Sequence, residues 1–363
     1  MATTCSPFSS AVVRCMQRIY PECLADKSFD NTGLLLEAPL NRHRRLRNSV
    51  LLTVDLTKAV ADEAISRGYS IIIAYRMSLI PAQTFPELLQ ILQMGCRKLT
   101  SSGLADPIIF RGLKSITLAN SQQHSLLRLA QEGISVYSPH TAVDATPGAM
   151  ADWLCQCAVP PAIPQPTIDT IYPNPSPPPE PNFQGAGMGR KLTFDHQVPL
   201  NDILQAIAKR AFPSSPPQLG FSIAIPQGKS RADINIITVA ACPGSGSSIL
   251  MKNGSPVADL LLTGELSHHD ALAAIEAGSV VVTLSHSNSE RGYLQSHMRQ
   301  ALSQQLEAEW RKTRDEAADH MRVQGEEGKI LKEILGDDSL QVNVSEQDRD
   351  PYDVVFWKDG KEI

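Results

Sequence analysis

The stretch TGELSHHDALAAIEAGSVVVTLSHSNSERGY, residues 263–293, decides the fold. Its apolar run Val280–Leu284 has the length and β-branched content of a buried strand. The run Asp259–Thr263 reads the same way, and a helix beginning near His268 separates the two. Strand, helix, strand is the repeating unit of an α/β sheet. Val280–Leu284 delivers His286 and Glu290 to its carboxyl end, where open α/β sheets place their chemistry. The two are four residues apart, so a helix starting in the serine-rich turn after His286 turns both toward one cleft. A neutral imidazole and a carboxylate are ordinary ligands for Zn, Mn or Fe. A metal site needs more than two ligands, so the others must come from other strand ends.

Working outward, strands and helices alternate along most of the chain. Ser49–Val54 reads as a strand, Thr57–Arg67 as a helix, Ser70–Ala74 as a strand, Leu113–Ala130 as a helix and Ile134–Tyr137 as a strand. Residues 158–184, AVPPAIPQPTIDTIYPNPSPPPEPNFQ, are crowded with proline and read as an extended connector. Beyond it come strands at Lys191–Phe194, Phe221–Ile225 and Asp233–Ala240, with a helix near Leu200–Ala211. The expected organisation is an N-terminal α/β lobe (1–157), the connector (158–184), a C-terminal α/β lobe (185–303) and a charged helical extension with its tail (304–363). In that extension Leu306, Trp310 and Met321 are sparse apolar anchors, which predicts a solvated helix packed along one edge.

The 363 residues carry a net charge of −5, which gives no general footprint for direct nucleic-acid binding. The basic run Arg42-His43-Arg44-Arg45-Leu46-Arg47 is the exception, and it reads as a solvated loop before a strand rather than a phosphate-binding patch. Seven cysteines lack metal-finger spacing and fit free thiols in a reducing compartment. No apolar run reaches membrane-spanning length, and the N-terminus lacks a signal-peptide core. Ser9–Tyr20 reads instead as a first helix, with Ala11, Val12, Met16 and Ile19 on its inner face. Arg14 and Arg18 give it a faint transit-peptide character. The expected compartment is the cytoplasm, with mitochondrion and nucleus as alternatives.

Three more stretches can converge on His286 and Glu290. Tyr137–Asp144 ends a strand with His140 and Asp144, again four apart. Cys242-Pro243-Gly244-Ser245-Gly246-Ser247-Ser248 follows a strand, and its backbone N–H groups at Gly244, Ser245, Gly246 and Ser247 can face an anion as a nest does. The need for tight turns explains these glycines equally well, and no Walker lysine follows. Asp30-Asn31-Thr32-Gly33 is a turn that says little alone. His268 and His269 read as helix-packing or hydrogen-bonding residues at a helix start rather than ligands.

Together these segments resemble one family, the NGG-one-interacting-factor-three-like proteins, also called GTP cyclohydrolase I type 2-like. The resemblance rests on SFDNTGLLLE (28–37), LTVDLT (52–57), FRGLKSIT (110–117), GISVYSPHTAVDA (133–145), GAGMGR (185–190), GSGSS (244–248), LTGELSHHDAL (262–272) and SHSNSERGYL (285–294). It covers nearly everything up to about residue 303, and it is most like a eukaryotic, fungal member, which SEQDRDPYD (345–353) also fits. The resemblance implies two related α/β lobes packed around a cleft that binds two divalent ions (Zn, Mn or Fe), with Asp144, His286 and Glu290 at ligand positions. His140 stands beside them as a base or substrate contact, and Glu290 is the other candidate general base. It also implies a homo-oligomer, from dimer to hexamer.

The pattern breaks at Arg76. The family carries His-His-Pro, or Tyr-His-Pro in eukaryotes, after the second strand, whereas here Ile71-Ile72-Ile73-Ala74 runs into Tyr75-Arg76-Met77-Ser78. Arginine does not deprotonate in proteins and cannot ligate a metal. The stretch MSLIPAQTFPELLQILQMGCRKLTSSGLAD (77–106) has no counterpart in the family, whose pattern resumes at Pro107. Codons compatible with Arg76-Met77-Ser78 include a 5′ splice donor, Leu99-Thr100 accommodates a branch point, and Ala105-Asp106 accommodates a 3′ acceptor. Excising 90 in-frame nucleotides restores Tyr-His-Pro. The expectation is that 76–106 include a translated intron; the competing reading is a genuine insert with a lost ligand. Kept in the chain, Leu89–Met94 is expected to form a short apolar helix on the surface.

Two functions follow. One is a hydrolase-like metal protein acting on a nucleotide or other phosphate-bearing substrate, impaired here by Arg76. The other is a regulatory oligomer that interacts with a transcriptional regulator.

Overall fold

A computed structural model describes residues 5–76, 116–212, 220–318, 326–355, 357–358 and 361–362. The expected short helix at Leu89–Met94, and all of the stretch after Arg76 up to residue 106, lie outside the described residues.

Two sheets form the frame. The elements of the first lobe are α1 (Pro7–Ile19), β1 (Gly33–Leu36), β2 (Ser49–Asp55), α2 (Lys58–Arg67), β3 (Ile71–Arg76), α3 (Ser121–Glu132), β4 (Ser135–Ser138), α4 (Thr141–Ala145) and α5 (Met150–Cys157). Those of the second are β5 (Thr167–Pro173), β6 (Gly187–Pro199), α6 (Leu200–Arg210), β7 (Ser222–Ala224), β8 (Asn235–Ser245), β9 (Leu260–Glu265), α7 (His268–Glu276), β10 (Val280–Thr283) and α8 (Asn288–Tyr293). A π-helical turn at Leu294–Met298 leads into α9 (Arg299–Ala318), followed by α10 (Glu326–Gly336) and β11 (Gln341–Val344).

The first sheet has the order β1-β4-β3-β2-β11. Its strands β4, β3, β2 and β11 run parallel, and β1 is antiparallel. Val50, Leu51, Leu52, Ile71, Ile72 and Ile73 are fully buried, as a parallel sheet covered on both faces requires. Thr57 caps α2 by accepting from the Val60 N–H, and Gly68 ends that helix at φ +69°. Asn120 and Gly133 do the same for α3. The predicted helix over 113–130 therefore starts later, at Ser121, where the asparagine cap allows it.

The second sheet has the order β5-β6-β8-β9-β10-β7, with β8, β9 and β10 parallel. Part of the proline-rich connector is not spacer: Thr167–Pro173 pairs antiparallel with β6 as an edge strand, the place where a sheet tolerates proline. One apolar core runs through both lobes, from Phe8 and Ile71 to Leu260 and Val282.

The C-terminal extension folds back on the first lobe. α9 packs on α1 through Leu306 and Trp310, both buried, and the Trp310 ring meets Phe8 edge-on. Met321, the third predicted anchor, lies outside the described residues. Arg44 and Arg45 of the basic run are held in ion pairs to Glu132 and Asp337. The six described cysteines are free. Among the described residues no helix is long and apolar enough to cross a membrane.

Candidate functional site

The carboxyl ends of the parallel strands in both sheets converge on one cleft, as expected where α/β sheets put their chemistry. From the first sheet come Asp55 at the end of β2, Tyr75 and Arg76 at the end of β3, and Asp144 on α4. From the second come Gly244 at the end of β8, Glu265 at the end of β9, and His286 and Glu290 after β10. The mouth is a cavity of about 710 Å³, lined among others by Asp55, Arg76, Glu265 and His286.

Helix α8 begins in the serine-rich turn, which places His286 and Glu290 as expected: His286 Nε2 lies 3.6 Å from Glu290 Oε1. The His286 Nδ1 meets Glu265 at 2.7 Å. Burial first, and then the nearby Arg76 charge, pull the His286 pKa below its ordinary value. Glu290 is 1% exposed and its Oε2 has no hydrogen-bond partner among the described residues. Burial pushes its pKa well up, Arg76 opposes, and the Asp144 charge adds to the rise. Asp144 accepts a 2.7 Å hydrogen bond from the Tyr75 hydroxyl, yet burial dominates and raises its pKa to about 6.

Arg76 stands among these acids. Its Nε and Nη2 donate to the two oxygens of Asp55 at 2.9 and 3.2 Å. Its Nη1 lies 3.9 Å from Glu290 Oε1. The guanidinium therefore compensates carboxylates from both lobes.

His140 reaches the site less directly. Its Nδ1 is held by Asp30 at 2.6 Å and its ring packs edge-on against Tyr75, whose hydroxyl bonds Asp144. Burial works against the Asp30 charge, but the bonds from His140 and Thr141 outweigh it and hold that carboxyl below its usual value. His140 has φ +30° and Ser285 has φ +69°, two strained non-glycine residues at the strand ends that supply the site.

The glycine-serine loop lies against the cleft. A Cβ on Gly244 (φ +63°) would sit 2.8 Å from both Glu290 Oε1 and His286 Nε2, so only glycine fits. Its N–H donates to Ser289 Oγ at 2.9 Å and the Gly246 N–H donates to the Glu265 carbonyl. These two amides are thus spent on the fold, and Ser245 and Ser247 flank them. His268 and His269 stand at the start of α7 with their rings edge to face.

Sequence reasoning had found Asp144, His286, Glu290 and His140 but not Asp30, Asp55 or Glu265. Each missed acid is the partner of a positively charged or imidazole side chain, a relation visible only in space. The donor chemistry of Asp55, Asp144, His286 and Glu290 suits a divalent ion. With Arg76 in place the set does not fit one: the guanidinium already pairs with Asp55 and stands 3.9 Å from Glu290, and its fixed positive charge would repel a cation there. Among the described residues no group of three or more His, Cys, Asp or Glu is placed to hold a metal.

The fold and its cleft define a two-lobed α/β protein of a known family. The family model for Duf34/NIF3 (NGG1p interacting factor 3) matches residues 9–76 and 106–316, and the chain belongs to that family. The match leaves out 77–105. The chain is 40% identical over 305 residues to Protein NIF3 homolog of Schizosaccharomyces pombe, covering 83% of this chain and 91% of that one. It is 33% identical over 303 residues to NGG1-interacting factor 3 of Saccharomyces cerevisiae, covering 79% and 88%. A Bacillus cereus protein related to NIF3 shares the fold, with a TM-score of 0.57 at 18% identity over 95% of this chain and 98% of that chain.

Proposed function

We propose that this protein is built around a hydrolase-type dinuclear metal cleft, and that this polypeptide carries the cleft closed, with Arg76 standing where a cation would sit. The observation that carries the reading is the pairing of one guanidinium with Asp55 and the buried Glu290, whose second oxygen lacks a partner among the described residues. A buried carboxylate without compensation is costly, so a site rich in acids needs a positive charge from somewhere. The family match supports the same reading, because it stops at Arg76 and resumes at Asp106. Asp144, His286 and Glu290, joined by Asp55, are the residues that would hold Zn, Mn or Fe once Arg76 is gone. The substrate class would be a nucleotide or another phosphate-bearing molecule.

The test compares this polypeptide with one in which residues 76–106 are replaced by a single histidine. After dialysis against chelator and reloading, elemental analysis should find about two divalent ions per chain in the shorter protein and none bound stoichiometrically in the longer one. Stoichiometric metal in the longer protein, or none in the shorter, would end the proposal. Sequencing one cDNA across codons 74–108 decides separately between intron and insert.

The name of the budding-yeast relative favours a second reading, in which the chain engages a transcription-related partner as an oligomer. Glu290→Ala separates the two, since it should destroy metal loading of the shorter protein while leaving partner capture and assembly intact.

A further inference from the structure

A second cavity, of about 410 Å³, lies on the face of α8 and the following turn that carries Asn288, Arg291 and Gln295. This face excludes Glu290. The opposite wall belongs to the first lobe: Arg67 at the end of α2, and Asn343–Glu346 of β11 and the residues after it. Three guanidiniums, of Arg67, Arg291 and Arg299, line it against the single carboxylate of Glu346.

The compensation of these cations is incomplete. Arg67 pairs with Glu63 and Glu346. Arg291 pairs with Asp348 at 3.1 Å, and its Nη1 donates to Asn288 at 2.8 Å. Its Nε, however, is buried without an acceptor among the described residues. Arg299 is exposed at the cavity edge and has no carboxylate partner among the described residues. Arg67 and Arg291 already have carboxylate partners, so the free positive charge at this concave space is that of Arg299, and an anion placed there would compensate it. Guanidinium forks match tetrahedral oxyanions with paired N–H donors, and the amides of Gln295 and Asn343 add neutral donors.

We infer that this cavity binds a small multivalent oxyanion, a phosphate or pyrophosphate group. Such a ligand would touch both lobes at once. It would also touch Arg291, the residue next to Glu290, and so bear on the helix that walls the cleft. The inference does not depend on the metal reading of that cleft.

The probe is inorganic pyrophosphate, titrated calorimetrically into the full-length polypeptide at constant ionic strength. Saturable binding is expected. Arg299→Gln, which removes a cation, and Gln295→Glu, which adds an opposing charge, should each weaken it about tenfold or more. Arg311→Gln, an exposed change on α9 outside the cavity, should leave it unchanged. Absence of saturable binding overturns the inference. Binding unaltered by both cavity substitutions, or weakened equally by all three, assigns the anion to another surface or to general charge and overturns it as well.

Discussion

The guanidinium of Arg76 bridges Asp55 and Glu290, two acids that reach the cleft from different lobes. Neighbouring Asp144 shows what happens to an acid there without a cation in direct contact. Its folded pKa, about 6, lies above the ordinary 3.8, chiefly through burial. The fold thus prefers the neutral acid. Its stabilisation is complete below about pH 4 and is lost as the pH rises through about 6, a loss of up to about 3 kcal/mol. Glu290 acts in the same direction. In metal-free protein Asp144→Asn should therefore flatten the fall in stability between about pH 4 and pH 6.5, and raise stability at the higher pH by about 1–3 kcal/mol. Urea unfolding at the two pH values measures this, and an unchanged pH dependence would mean that Asp144 is not protonated. Gly244→Ala brings a Cβ within 2.8 Å of Glu290 and His286 at φ +63°. It should lower stability by about 1–3 kcal/mol, read as a lower denaturation midpoint with an unchanged slope. His286, Glu290 and Asp144 were legible because each follows an apolar strand at helical spacing. Asp55 and Asp30 were not, since an acid after a strand is common and gains meaning only from Arg76 or His140 beside it.

The C-terminal elements do more than extend the chain. β11 adds to the first sheet beside β2, and the following residues 345–350 cross toward α8. Asp348 is buried and accepts from the Val54 N–H at 2.7 Å and from Arg291. Asp350 is buried and accepts from Ser287, the residue that opens α8. This strap fixes the first turn of the helix that supplies Glu290. Asp348→Ala would leave a buried N–H and a guanidinium without their acceptor, at a cost of about 2–4 kcal/mol. Thermal or chemical denaturation reads it, and a change under about 0.5 kcal/mol would show that the strap does not hold the helix. SEQDRDPYD is legible in the sequence as a motif but its role is not, because its partners lie 57, 63 and 294 positions away along the chain. The charged helix α9 was more legible: Leu306 and Trp310 were its visible anchors, although α1 as their partner was not.

At the scale of the molecule, the two sheets share one apolar core and face each other with their carboxyl edges. A core without a seam predicts a single cooperative unfolding transition. Calorimetric and van't Hoff enthalpies should agree in metal-free protein, and two resolved transitions would show that the lobes unfold separately. The two-lobed architecture followed from alternating strand and helix periodicity on either side of a proline-rich segment.

Local pattern was enough to assign the α/β class and the strand ends that carry Asp144, His286 and Glu290, because periodicity and spacing are properties of neighbours along the chain; the break at Arg76 was visible only against the pattern of the family that the sequence resembles. Folding alone settled that Arg76 pairs with acids of both lobes, that part of the connector is an edge strand, and that the tail returns to hold α8. Those outcomes depend on burial and on contacts between distant residues, where an unpaired charge or an open sheet edge is costly and the chain must bring its partner from elsewhere.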